Sequence, residues 1–212
     1  MASGDSVRSR VAVFAKAPLP GAVKTRLIPA LGAEGATALY RTLVERALEC
    51  AVAADIGPVQ LWCAPDAGDP FFHACRDRFG VQLASQCEGD LGTRMRGAFE
   101  AMLAEGGRAL LIGSDVPAMT PAYVRAADAA LADGRDAVIG AAEDGGYVLI
   151  GLSLLAPALF EGIEWGGPEV MRATRSRIER LGLRHLELPV LWDLDRSEDL
   201  SRPGVPQVLR AS

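Results

Sequence analysis

Three polar segments of this chain carry side chains that could act together on a phosphorylated ligand. The first, residues 16–27 (KAPLPGAVKTRL), sets Lys16, Lys24 and Arg26 within eleven residues. Three cations in one short loop form a local anion site. A guanidinium can fork onto two phosphate oxygens, whereas an ammonium acts as a point charge. Gly21 frees the backbone to approach a ligand. The segment is not a Walker A loop, because Val23 rather than Gly precedes Lys24-Thr25, and it lacks G-x-G-x-x-G spacing. A solvated surface loop would carry the same charges. The second segment is Gly113-Ser114-Asp115-Val116-Pro117. Its carboxylate could hold Mg²⁺, which takes one or two protein carboxylates and completes its shell with phosphate oxygens and water; it could equally cap the following turn. The third segment is 192–200 (WDLDRSEDL). Alternation along an extended stretch puts Asp193 and Asp195 on one side, so that either could meet a metal. Ser197, Glu198 and Asp199 suit a helix N-terminus.

Two more segments bear on ligands. Residues 86–95 (QCEGDLGTRM) precede a helix. Gln86 could read a base edge and Gly89 could let the backbone pass a flat ring, or Asp90 could simply cap the helix. Residues 143–147 (EDGGY) form a tight turn. Paired glycines satisfy a turn needing positive φ. Asp144, Gly145, Gly146 and Tyr147 also suit the floor of an acceptor pocket. Serine-hydrolase chemistry finds no support, since G-x-S-x-G is absent. His73 and His185 read as structural.

The elements that must position these segments follow from periodicity. Apolar runs at 11–15, 59–63, 81–84 and 109–112 read as strands, as do 136–142, 147–151 and 184–188. Helical spacing marks 36–54, 71–79, a stretch carrying Leu91, Met95, Ala98 and Met102, then 121–132 and 168–181. Ser197 is expected to cap a last short helix. Strands alternating with helices predict a three-layer αβα domain with a mainly parallel sheet. The gap between the strands at 136–142 and 147–151 is too short for a helical crossover, so one of the two should run antiparallel. In such sheets, ligands gather beyond the carboxyl ends of the strands, where all three polar segments directly follow strand ends. The expected organisation is a flexible N-terminus at 1–10, one domain over 11–200, and a loose tail at 201–212.

Composition bounds the possibilities. The chain has 212 residues, half of them apolar, which is enough to bury a core. Its 22 Lys and Arg against 27 Asp and Glu argue against a general nucleic-acid binder. Cys50, Cys63, Cys75 and Cys87 lie 13, 12 and 12 residues apart without a C-x-x-C pair, and read as small core residues in a reducing cytosol. Residues 1–10 lack the apolar core of a signal peptide, and no window approaches the ~20 apolar residues of a membrane span. A cytoplasmic location without membrane contact is expected. Ala-rich helices such as 121–132 could pack in a homodimer or line the domain's own core.

The order of the motifs resembles the GT-A-like nucleotide-diphospho-sugar transferase superfamily, most of all a bacterial glycosyltransferase-like family named for arsenosugar biosynthesis. That family's pattern runs F-A-K/R-x-P-x-P-G-x-V-K-T-R-L, Q-x-x-G-D-L-G-x-R-M, G-S/T-D-x-P, E-D-G-G-Y-x-L-I-G, W-S-T and D-I-D-T-x-x-D-L. The counterparts here stand at 14–27, 86–95, 113–117, 143–151, 165–167 and 193–200. The first loop also looks like that of phospholactate guanylyltransferases. The late D-x-D is similar to one in sugar-acid cytidylyltransferases, which favours Asp195 over Asp193 as a metal ligand. The resemblance implies a GT-A-like fold, Mg²⁺ or Mn²⁺ at Asp115 and Asp195, and nucleotide contacts from Ala15, Lys16, Gly21, Lys24, Arg26, Gln86, Gly89 and Ser114. It implies acceptor contacts from Asp144, Gly145, Gly146, Tyr147 and Trp165, with Lys24, Arg26, Asp115 and Asp144 as the catalytic set. Two departures touch the acceptor: Trp165-Gly166-Gly167 replaces W-S-T, and Asp195-Arg196 replaces D-T.

Three activities fit these residues. A glycosyltransferase would move a sugar from a nucleotide-sugar to a small acceptor, with Asp144 as candidate base. A nucleotidyltransferase would use a nucleoside triphosphate and a phosphorylated acceptor, releasing pyrophosphate. A nucleotide-binding protein without turnover would fit the loss of two hydroxyls at 166–167. Either reaction needs positioning and electrostatics rather than a covalent nucleophile.

Overall fold

The computed structural model describes residues 8–206. Seven strands form one sheet: β1 (Ser9–Lys16), β2 (Val59–Ala64), β3 (Gln82–Ser85), β4 (Arg108–Gly113), β5 (Ala137–Ala142), β6 (Tyr147–Leu152) and β7 (His185–Leu191). Their order is β3-β2-β1-β4-β6-β5-β7. Only β6 runs antiparallel to its neighbours, β4 and β5. The four-residue turn between β5 and β6 leaves no room for a crossover, which is why these two strands form a hairpin. The architecture is the expected three-layer α/β arrangement with a mainly parallel, mixed sheet.

Alternation along β1 shows how the layers arise. Val11, Val13 and Ala15 pack under α1 (Ile28–Ala54), α2 (Pro70–Phe79) and α4 (Pro121–Ala132). Ala12 faces the other layer, which is built by α3 (Leu91–Ala104) and α5 (Val170–Arg180). Asp69, Asp90 and Thr120 cap α2, α3 and α4 through their side-chain oxygens. A third, smaller core joins Leu27, Leu39 and Leu43 to Trp192 and Leu194.

Several expectations need correction. Ser9 and Arg10 belong to β1 rather than to a flexible N-terminus, and Ser9 is fully buried. Helix α1 begins at Ile28, eight residues early, and is broken at Gly32, whose φ of 70° no helix contains. Helix α5 begins at Val170 instead of 168. The last helical segment, Ser197–Ser201, is a 3-10 turn whose N-cap is Arg196 rather than Ser197. Asp199 holds it by accepting from the Asp195 and Arg196 N–H groups at 3.0 and 2.8 Å. Cys50, Cys63 and Cys75 are buried, but Cys87 is exposed. Of the expected tail, residues 207–212 lie outside the described residues. Among the described residues, no helix is long and apolar enough to cross a membrane.

Candidate active site

The crevice opens where β1 and β4 lie side by side while the chain leaves them in opposite directions. The loop after β1 is anchored before it becomes polar: Ala17 N–H donates to Ala64 O at 2.7 Å. It turns at Gly21, where φ is +82°. Lys24 also takes a left-handed backbone conformation, with φ 46° and ψ 43°. A non-glycine residue there costs roughly 1–2 kcal/mol. The buried residues on either side, Val23 and Leu27, hold it in place.

That conformation sends the Lys24 side chain, only 6% exposed, under the crevice floor. Its Nζ donates to Asp115 Oδ2 at 2.8 Å and lies 3.9 Å from Asp195 Oδ1. Arg26 pairs with Asp195 from the solvent side. Asp115 follows Gly113, where a Cβ would stand 3.2 Å from its Oδ1. The third segment arrives through its apolar residues. Trp192 and Leu194 enter the small core, so Asp193 and Asp195 face the opposite way. Leu194 N–H then donates to Asp115 O at 2.8 Å, joining the two acidic loops through the backbone. The structure therefore brings together Lys24, Arg26, Asp115 and Asp195, residues up to 171 positions apart in the chain.

Above this cluster lies a cleft of about 460 Å³. Ala15, Lys16, Lys24, Arg26, Gln86 and Ser114 line it; Gly21 and Gly89 do not. Tyr40 accepts from Lys16 N–H at 2.8 Å, and burial pushes its phenol up. Gln86 is partly committed: its Nε2 donates to Ala15 O and Trp62 O at 3.2 and 2.7 Å, leaving Oε1 as its free polar atom. Gly89 acts at one remove, its carbonyl accepting from Arg94 Nε at 3.0 Å. Arg94 lines the cleft and is a cation that sequence reasoning did not single out. The signal was available, one residue before Met95 in the L-G-x-R-M run.

A smaller hollow of about 190 Å³ adjoins Asp115. It is lined by Asp144, Gly146, Tyr147 and Trp165 of the expected acceptor set, and by Asp193. Gly145 instead supports the turn: its φ is +92°, a Cβ there would meet Pro168 O at 2.2 Å, and its carbonyl accepts from Met171 N–H of α5. Tyr147 and Trp165 meet edge to face, with centroids 6.2 Å apart. Asp144 caps its own turn through Gly146 N–H at 2.9 Å but stays exposed. Burial, reinforced by the charges of Asp115 and Asp144, pushes the Asp193 carboxyl up to about 6. A third hollow, of about 460 Å³, lies between Arg26, Asp193 and Arg202.

A family model described as "Uncharacterized protein conserved in bacteria (DUF2064)" matches residues 47–167, more than half of the chain. The chain belongs to the DUF2064 family. A solved structure from Desulfovibrio desulfuricans G20, provisionally named a nucleotide-diphospho-sugar transferase, is 34% identical, with a TM-score of 0.82 over 96% of this chain and 90% of that one. The fold is shared by CMP:2-keto-3-deoxy-manno-octonic acid synthetase complexed with CTP, at 14% identity and a TM-score of 0.56, covering 91% of this chain and 95% of that one. It is also shared by glucosyl-3-phosphoglycerate synthase from Mycobacterium tuberculosis, solved with Mn²⁺, UDP and phosphoglyceric acid. There identity is 12% and the TM-score 0.56, over 96% of this chain and 81% of that one. The DUF2064 chain thus has the GT-A-like fold on which those transferases are built. No curated protein matches it in sequence.

Proposed function

We propose that this DUF2064 protein is a metal-dependent, nucleotide-using transferase that moves a sugar from a nucleotide-diphospho-sugar to a small acceptor. One observation carries the reading: a nearly enclosed ammonium, Lys24, lies within 4 Å of two carboxylates from distant loops, on the floor of a cleft lined by Lys16, Arg26 and Arg94. An ammonium between two carboxylates marks a place that wants a cation. Among the described residues no three or more His, Cys, Asp or Glu side chains gather as a metal site. That donor set suits Mg²⁺ or Mn²⁺, which accept one or two protein carboxylates and take phosphate oxygens and water for the rest. Asp115 and Asp195 would hold the ion, which would neutralise the leaving phosphates.

In this reading Lys16, Lys24, Arg26 and Arg94 orient the diphosphate and offset the charge that grows on it as it departs. Ala15, Gln86 and Ser114 shape the nucleotide end of the cleft. The acceptor's heteroatom bonds to the anomeric carbon. The bond from that carbon to the nucleoside diphosphate breaks with its electron pair, and Asp144 takes the acceptor's proton. We read residues 9–200 as one transferase domain. The first-loop likeness to phospholactate guanylyltransferases, together with four cations in one cleft, favours a second reading: nucleotidyl transfer from a triphosphate. The arsenosugar-linked likeness favours the first.

A thermal-shift panel separates the two. With Mg²⁺ present, nucleotide-sugars should raise the melting temperature in proportion to the logarithm of their concentration over their dissociation constant. Stabilisation by triphosphates alone would transfer the assignment to the second reading. Asp115→Asn should abolish the Mg²⁺-dependent part of the shift.

A further inference from the structure

Resting on the transferase reading, the 190 Å³ hollow beside Asp115 has a chemistry that narrows its ligand. Asp115, Asp144 and Asp193 all line it, and none of its lining residues is Lys, Arg or His. Its apolar lining comes from Leu91, Tyr147, Val148, Trp165 and Val170. Four polar groups around it are turned away or engaged. The Tyr147 hydroxyl meets Met95 Sδ at 3.7 Å. Trp165 Nε1 is buried without a partner against Gly92 of α3, where a Cβ would come within 2.5 Å of it. Gly146 N–H is held by Asp144, and Met171 N–H, in the first turn of α5, by Gly145 O. The nearby arginines are committed or lie elsewhere. Arg202 forms a bidentate pair with Glu143 at 2.8 Å and stacks 4.2 Å from the Trp192 ring centre, and Arg26 lines the larger cleft, not this hollow.

A phosphate or carboxylate entering this hollow would meet the carboxylates of Asp144 and Asp193 beside the Lys24-paired Asp115, and no cationic side chain among the lining residues. Like-charge juxtaposition costs several kcal/mol. A divalent ion at Asp115 and Asp195 would still leave Asp144 and Asp193 facing the ligand. We infer that the acceptor is a small molecule without negative charge, with an apolar or aromatic body seated against Tyr147 and Trp165 and its nucleophilic heteroatom toward Asp144. Phosphorylated acceptors are rejected.

The test uses benzyl alcohol, benzylamine and benzyl phosphate on the full chain without divalent ions, so that no bound cation can draw the phosphate in. Binding is read as quenching of Trp165 fluorescence, with Trp165→Phe identifying the signal. Benzyl alcohol and benzylamine should bind about tenfold or more tighter than benzyl phosphate, the least that the like-charge cost implies. Gly167→Arg should narrow that gap. Gly167 lines the hollow, and a Cβ there would make only a 3.7 Å contact with Glu164 O, so the position accepts a side chain. Benzyl phosphate binding as tightly as the alcohol, or no quenching by any probe, overturns the inference. Selective quenching in a protein that no nucleotide stabilises would sink the transferase reading instead and leave the hollow's selectivity standing.

Discussion

Lys24 combines two unfavourable states, a left-handed backbone and a nearly enclosed charge, and both persist because Asp115 and Asp195 face it. Lys24→Met should therefore act twice. If the transferase reading holds, turnover should fall by roughly 10²-fold or more, the usual effect of removing one preorganised group that stabilises developing charge. Without that ammonium, the two carboxylates repel, and Mg²⁺ should raise the melting temperature of the variant more than that of the natural chain. An equal Mg²⁺ response in both, measured by scanning fluorimetry, would show that lysine and metal do not share the site. At this scale much was legible, because a K-T-R run beside a strand end and isolated aspartates in G-S-D-x-P announce charge. The commitment of Gln86 was not. Only the packed structure shows its amide bridging the ends of β1 and β2.

Elements hold these residues through small joints. Asp136, just before β5, accepts from Arg184 N–H, Nε and Nη2 just before β7, at 2.9, 3.1 and 3.0 Å. The Arg184 side chain, helped by its backbone N–H, holds the Asp136 carboxyl below its ordinary range. The folded state therefore binds that proton less readily than the unfolded chain. The joint's stabilisation is fully present above the unfolded carboxylate's pKa of ~3.9 and disappears as pH falls through the depressed folded value. Asp136→Asn should be less stable than the natural chain at neutral pH, with the difference closing in acid. Urea unfolding across that range measures it. At the turn between β5 and β6, Gly145→Ala would drive a Cβ into Pro168 O and strain a φ of +92°. A loss of about 1–3 kcal/mol is expected from the strain of such a backbone. The elements themselves were read well where period and caps agreed, as in α4. They were misread where a loop hides a helical turn: Gly32 interrupts α1, so the pattern before it looked irregular.

For the molecule as a whole, the polar loops after β1 and β4 and the acidic segment after β7 form one unit, joined by the Lys24 pairs and the Leu194–Asp115 backbone bond. Under the transferase reading, Mg²⁺ with a bound nucleotide should slow amide hydrogen exchange in residues 16–27, 113–117 and 193–196 together. Protection confined to one of the three would break the unit apart. Independently of ligand, β1 and β4, flanked by strands on both sides, should exchange last, and β3 and β7, at the sheet's edges, first.

The amino-acid sequence alone determined the alternation of strands and helices, hence the layered sheet, because hydrophobic period and capping residues are local and repeat along the chain. It also determined which loops carry charge. Which of two similar aspartates meets Lys24, that Arg94 joins the cleft, and that the hollow beside Asp115 is lined by carboxylates and no cation were decided only in three dimensions. The placement of Asp193 and Asp195 depends on Trp192 and Leu194 finding Leu27 and Leu39 across more than 150 residues of chain. No local periodicity encodes a contact of that range.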